Sequence, residues 1–218
     1  MVEIATSILN AKKEKIIDTI YDLEKAKTDY FHIDVMDGEF VKNDTHDIML
    51  EYSEYLDHIT KVPKDVHLMV KNVKNYIDSY AIFAPNIITF HYEALENDEE
   101  VMKTIEYAKT KCRRVGLAIK PETNVEKIKK FLPYVHVVLV MTVEPGKGGQ
   151  EIIKDTIEKI KELDKYRTEE KLDFDIEADG GIKVENSQEL INAGADILVA
   201  GTAILESNDY GKIIKELR

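Results

Sequence analysis

A single cysteine, Cys112, in 218 residues leaves no disulfide framework within the chain. Positive charge is also short: 30 Lys and Arg stand against 42 Asp and Glu, a formal net charge of -12. That balance disfavours nucleic acid or an anionic membrane as the main partner, since either would be repelled over most of the surface. No apolar run approaches a membrane span, and the opening MVEIATSILN has no basic segment leading into a long apolar stretch. A soluble cytoplasmic protein is expected. Five prolines are scattered without any Pro/Ser-rich or low-complexity tract to act as a linker, so one catalytic domain over residues 1–218 is expected.

What the chain does contain is alternation. Short β-branched runs recur at 3–9 (EIATSIL), 30–35 (YFHIDV), 65–70 (DVHLMV), 86–91 (NIITFH), 114–119 (RVGLAI), 136–143 (HVVLVMTV), 173–178 (DFDIEA) and 195–201 (ADILVAG). Between them lie segments of helical period: EEVMKTIEYAKT puts Val101, Ile105 and Ala108 on one face, and QEIIKDTIEKIKEL does the same for Ile153, Ile157 and Ile160. Eight strands, each feeding a helix, predict an α/β fold of the (β/α)8 barrel type, with a doubly wound open sheet as the weaker alternative.

In such a barrel the chemistry belongs at the carboxyl ends of the strands, and that is where the reactive side chains fall. In FHIDVMDG the apolar Phe31, Ile33 and Val35 share one face of the second strand, while His32, Asp34 and Met36 share the other, which should look into the barrel. His67 and Met69 repeat the pattern in the third strand, and Asp179 ends the seventh. Taken singly, His32 with Asp34 is as well explained by a hydrogen-bonded core pair, His67 by a satisfied buried histidine, and Asp179 by a turn carboxylate. Convergence of all four on one rim favours a divalent transition metal held by two nitrogens and carboxylate oxygens. His91 is expected to support the site from behind. His46, His58 and His136 are assigned to solvated surface; Met36, Met69 and Met141 are explained by core packing, and all three could also form an apolar wall around a reacting carbon.

The same rim carries glycines. EPGKGGQ is not a Walker loop, but Gly146, Gly148 and Gly149 can turn backbone amides towards an anion, with a helix expected from Gln150. Gly180–Gly181 and Gly201–Thr202 add further amides after the seventh and eighth strands. Three tight turns would explain the glycines without a ligand; their shared position favours phosphate.

As a set, TSIL with Ser7, FHIDVMDGEFV, DVHLMV, TFHYEA, GLAIKPET, MTVEPGKGGQ, EADGGI and AGADILVAGTAI resemble the ribulose-phosphate 3-epimerase family over nearly the whole chain. The resemblance implies a ribulose-phosphate-binding TIM barrel that interconverts D-ribulose 5-phosphate and D-xylulose 5-phosphate in the pentose phosphate pathway. It implies His32, Asp34, His67 and Asp179 as ligands of one zinc, iron(II), manganese or cobalt ion, with Asp34 and Asp179 also the acid/base pair. Ser7, His67, Gly146 to Gly149 with Lys147 among them, Gly180, Gly201 and Thr202 would then meet the substrate and its phosphate. A homo-oligomer, dimer or hexamer, is implied as well. The alternatives are an epimerase of D-allulose 6-phosphate and, further off, a phosphate-binding barrel lyase or decarboxylase. Three stretches depart from the family: NAKK after TSIL, KNDTHDIML after FV, and Lys147, where an aromatic is usual. The Lys147 ammonium either adds a cation near the phosphate or reaches into solvent, and the second is favoured.

Overall fold

The computed structural model describes residues 2–218. Eight parallel strands close into a barrel in sequence order: β1 Glu3–Ser7, β2 Tyr30–Met36, β3 Lys64–Met69, β4 Ile87–His91, β5 Arg114–Ile119, β6 Val137–Met141, β7 Asp175–Asp179 and β8 Ile197–Ala200. Around it lie α1 Ile16–Lys25, α2 His46–Ile59, α3 Val73–Ala81, α4 Asp98–Lys109, α5 Asp155–Glu170, α6 Val184–Ala193, α7 Thr202–Leu205 and α8 Tyr210–Leu217. The closed barrel excludes the open sheet.

The two faces of β2 separate as its alternation dictates. Phe31, Ile33 and Val35 join the apolar layer under the helices, together with Ile20 of α1 and Tyr52 and Leu56 of α2. Inside the barrel, the amino-terminal end is plugged by Ala5, Tyr30, Ile87, Val137 and Ile197. Moving up β2 from Tyr30, the inward side chains are His32, Asp34 and Met36, all buried. The barrel interior is therefore apolar at its base, with the buried polar side chains standing above it.

Helix α4 forms as its period predicts, with Val101, Ile105 and Ala108 buried and the Asn97 side chain accepting the Glu100 amide at 3.0 Å as N-cap. Ile105→Ala would cost about 2–5 kcal/mol by opening a void in this layer. Two expectations are corrected. No α-helix follows β5: the segment forms 3-10 turns at Val125–Lys127 and Lys129–Tyr134, the latter containing Pro133, which has no amide to donate, although Phe131 and Leu132 still cover the barrel. Nor does a helix begin at Gln150. It begins at Asp155, because residues 150–153 run back along the end of β6, where the Ile153 amide donates to the Thr142 carbonyl at 2.7 Å.

Candidate active site

Strand register brings the proposed ligands together. Asp34 of β2 pairs with His67 of β3, and Asp179 ends β7 beside Met141 of β6. His32 Nε2 lies 3.5 Å from Asp34 Oδ1 and 3.7 Å from Asp179 Oδ2; His67 Nδ1 lies 3.5 Å and 3.2 Å from the same two oxygens. Four ligands at about 2.1 Å around one ion would stand about 3.4 Å apart, the edge of a tetrahedron. His32 Nε2 and His67 Nδ1 are also buried without any hydrogen-bond partner among the described residues. Lone pairs left bare in an interior need a cation or a proton, so the donor set fits a divalent metal.

Electrostatics agree. Burial would lower the pKa of His32, but Asp65 and Asp34 outweigh it and hold it well above the usual histidine range. His67 is raised in the same way, burial being overcome by Asp179 and Asp34. Burial would raise Asp34, yet the two imidazoles outweigh it and keep it ionised. A metal and a proton would compete for the same nitrogens.

Below this cluster lies a layer that sequence reasoning missed. His32 Nδ1 meets Asp65 Oδ2 at 2.5 Å, with Glu177 Oε1 at 3.6 Å. Burial, together with the Asp65 charge, pushes the Glu177 carboxyl well above the carboxylate range, which favours its neutral form. The signal was present: Asp65 and Glu177 stand two residues before His67 and Asp179 and so share their inward faces. A second missed element is Glu93. His67 Nε2 lies 2.9 Å from His91 Nε2, and His91 Nδ1 lies 3.2 Å from Glu93 Oε2, so His91 does stand behind the ligands. Burial pushes His91 down to about 4. Burial opposes ionisation of Glu93, but hydrogen bonds from His91 and the Lys120 amide prevail and hold it at about 2.

Above the cluster opens a cavity of about 600 Å³. Asp34, Asp179 and Ser7 reach its wall, as do Met36, Met69 and Met141, the expected apolar lining. Gly146 to Gly149, Gly180, Gly181, Gly201 and Thr202 form its other end. His67, expected also against substrate, is fully buried and lies outside the cavity wall. The Ser7 hydroxyl donates to Asp34 Oδ2 at 2.6 Å.

The glycines serve two needs. Gly146, Gly149, Gly180 and Gly181 have positive φ, whereas Gly148 and Gly201 are places of close approach, where a Cβ would stand 2.5 Å from Asn10 Nδ2 and 3.2 Å from Ser7 Cβ. Carbonyls of the 144–147 segment are tied back by side chains: Gln150 Nε2 donates to those of Glu144 and Lys147 at 2.6 and 2.9 Å, and Asn43 Nδ2 to that of Gly146 at 2.7 Å. Asn10 Nδ2 donates to Thr202 Oγ1 at 3.2 Å, joining the loops after β1 and β8. Lys147 is exposed and forms no ion pair among the described residues.

The divergent stretch after Val41 is anchored to the site. Thr45 donates to the Asp34 carbonyl at 2.7 Å and accepts the Met36 amide at 3.0 Å. His46 is not a solvated surface residue: it is half-buried against Tyr76 and Tyr80, whose hydroxyl donates to the His46 carbonyl at 3.2 Å. His136 is half-buried too, its Nδ1 accepting the Val115 amide at 3.1 Å, and His58 is exposed as expected.

A closed parallel barrel with its polar cluster and cavity at the carboxyl rim defines the class as a (β/α)8-barrel enzyme. The fold is shared widely: KGPDC from Streptococcus mutans superposes with a TM-score of 0.69 over 100% of this chain and 95% of that one at 11% identity. Thiamine phosphate pyrophosphorylase from Pyrococcus furiosus superposes with a TM-score of 0.66 over 100% and 93% at 15% identity.

Sequence comparison narrows the class to an isomerase. The model of the ribulose-phosphate 3 epimerase family matches residues 3–205. Curated ribulose-phosphate 3-epimerases from Bacillus subtilis (strain 168) and Methanocaldococcus jannaschii are 38% and 37% identical, each match covering 100% of this chain and 99% or 90% of the relative. The relative from Escherichia coli (strain K12) is 39% identical over 99% of this chain and 94% of its own length. The chain belongs to the ribulose-phosphate 3-epimerase family.

Proposed function

We propose that this chain interconverts D-ribulose 5-phosphate and D-xylulose 5-phosphate as one catalytic domain in the cytoplasm. Asp34 and Asp179 act as its acid/base pair, with His32, Asp34, His67 and Asp179 as its metal ligands. The observation that carries this reading is a pair of aspartates from β2 and β7 that both reach one cavity and also bracket two unpartnered histidine nitrogens.

Epimerisation at C3, next to the C2 ketone, removes a proton from one face and returns one to the other. One aspartate takes the proton while its counterpart, protonated, delivers one, and the roles exchange in reverse. Each carboxylate turns one oxygen to the imidazoles, which leaves the other for the substrate. For Asp34 that second oxygen is Oδ2, the acceptor of the Ser7 hydroxyl, so Ser7 orients the base. A divalent ion held by the four ligands would supply Lewis-acid stabilisation to the enediolate charge. Met36, Met69 and Met141 keep water from the reacting carbon. At the far end, the tied-back carbonyls leave the glycine loop's amides to grip the phosphate, fixing the sugar's orientation. Ligand chemistry suits zinc, iron(II), manganese or cobalt alike, and the family resemblance supports a homo-oligomer.

The test is solvent exchange. Metal-loaded protein with D-ribulose 5-phosphate in deuterated water should lose the C3 proton signal. No exchange with any divalent metal would overturn the reading, and faster exchange with D-allulose 6-phosphate would reassign the substrate.

A further inference from the structure

The ring nitrogen that His67 turns to the aspartates is Nδ1, and a ligand nitrogen must be bare. The proton of neutral His67 then sits on Nε2, which lies 2.9 Å from His91 Nε2. That atom of His91 must accept, so His91 carries its own proton on Nδ1, and Glu93 Oε2 receives it at 3.2 Å. The opposite assignment fails at its far end. It would set a bare His91 Nδ1 lone pair against an ionised carboxylate, acceptor against acceptor.

Glu93 is itself fixed. It follows β4 in the 3-10 turn Tyr92–Ala94, and its Oε1 accepts the Lys120 amide, just beyond β5, at 2.8 Å. The Phe40 ring packs against His91 with centroids 4.9 Å apart, and the Lys120 ammonium lies over the other ring at 4.3 Å from the Phe40 centroid. The relay thus runs from Lys120 through Glu93 and His91 to His67, crossing from β5 to β3. His32 needs no such length, since Asp65 takes its Nδ1 proton directly.

We infer that Glu93 and His91 are positioning residues that set the tautomer of His67, so that in the neutral ring the bare nitrogen is Nδ1, the one that faces Asp34 and Asp179. The inference rests on His67 being a metal ligand and goes beyond it by assigning roles to two residues that touch neither metal nor substrate. Partners of this kind alter metal affinity by about 10–100-fold when removed.

Two measurements test it. In metal-free, 15N-labelled wild-type protein, at a pH where His67 is neutral, long-range imidazole correlations should show its proton on Nε2 and that of His91 on Nδ1; a neutral His67 with its proton on Nδ1 would overturn the inference without recourse to any variant. In the second, Co2+ titration of Glu93→Ala should show affinity about 10–100-fold below wild type. Glu93→Gln keeps one acceptor oxygen for His91 but turns a donor towards the Lys120 amide, so its affinity should fall between those of Glu93→Ala and wild type. Wild-type affinity in a folded Glu93→Ala protein would overturn the relay. Failure of the wild type itself to bind Co2+ would instead overturn the metal reading, a distinct result because the tautomers are read without metal.

Discussion

The Ser7 hydroxyl meets Asp34 Oδ2 at 2.6 Å, on the oxygen opposite the one that faces His32 and His67. One carboxylate thus has a metal-facing oxygen and a separately oriented oxygen at the cavity. Ser7→Ala should lower kcat/KM by roughly tenfold, near the lower end of what a hydrogen bond to a charged group contributes, about 1.5–3 kcal/mol. Because the bond favours ionised Asp34, its loss should also move the acidic limb of the pH–rate profile to higher pH. An unmoved limb would remove Ser7 from this role.

Asp179→Asn should keep the fold, since among the described residues the Asp179 carboxylate holds no hydrogen bond beyond the ligand cluster. Turnover should fall by about 10²–10⁴-fold, the range for a lost general acid or base. Far-UV circular dichroism with the C3 exchange assay separates the two effects, and near-normal exchange would take Asp179 out of the mechanism.

Metal loading should be pH-dependent in a set direction. His32 and His67 both have raised pKa values, the carboxylates outweighing burial, so protons occupy the ligand nitrogens above the ordinary histidine range of about 6.5. Co2+ affinity should therefore keep rising with pH beyond that point. The metal-free protein should do the reverse. Raised histidines contribute stability fully present below their unfolded pKa and lost as pH climbs through the folded values. Asp34, held low, contributes stability that is lost only as pH falls through its own folded value. Thermal unfolding of metal-free protein against pH checks both signs: Tm should decline on the alkaline side and on the strongly acidic side.

Gln150 and Lys147 sit three residues apart and should behave oppositely. Gln150 ties back two loop carbonyls, so Gln150→Ala should raise KM by roughly tenfold with a smaller change in kcat, as expected when uniform binding is lost. Lys147 is exposed and unpaired among the described residues, so Lys147→Phe should leave KM and its salt dependence unchanged. A KM that loses its salt dependence in Lys147→Phe would place the ammonium on the phosphate.

Much of this was legible because period-two alternation is a strong signal. His32, Asp34, His67 and Asp179 could be placed on inward faces from sequence alone, and the barrel follows from strands spaced as βα units. Asp65 and Glu177 obey the same alternation and went unread because they stand one layer below the rim. Glu93 could not be found by alternation, since it lies in a 3-10 turn and meets His91 only through that turn's geometry. Ile153 misled for the converse reason: it keeps helical spacing with Ile157 and Ile160, but its amide is taken by Thr142 before the helix begins. His46 looked solvated because the tyrosines that flank it, Tyr76 and Tyr80, come from another helix.

Along β2 the apolar Phe31, Ile33 and Val35 interleave with His32, Asp34 and Met36, and the same odd–even split holds where Asp65 underlies His67 and Glu177 underlies Asp179. The reaction centre and its foundation are thereby written in the parity of three strands. A single inserted or deleted residue within β2 would turn the ligands out towards the helices and drive aliphatic and aromatic side chains into the barrel, wrecking catalysis and packing together. Length variation should accordingly be confined to the connecting loops, with the strands free to change residues but never their count.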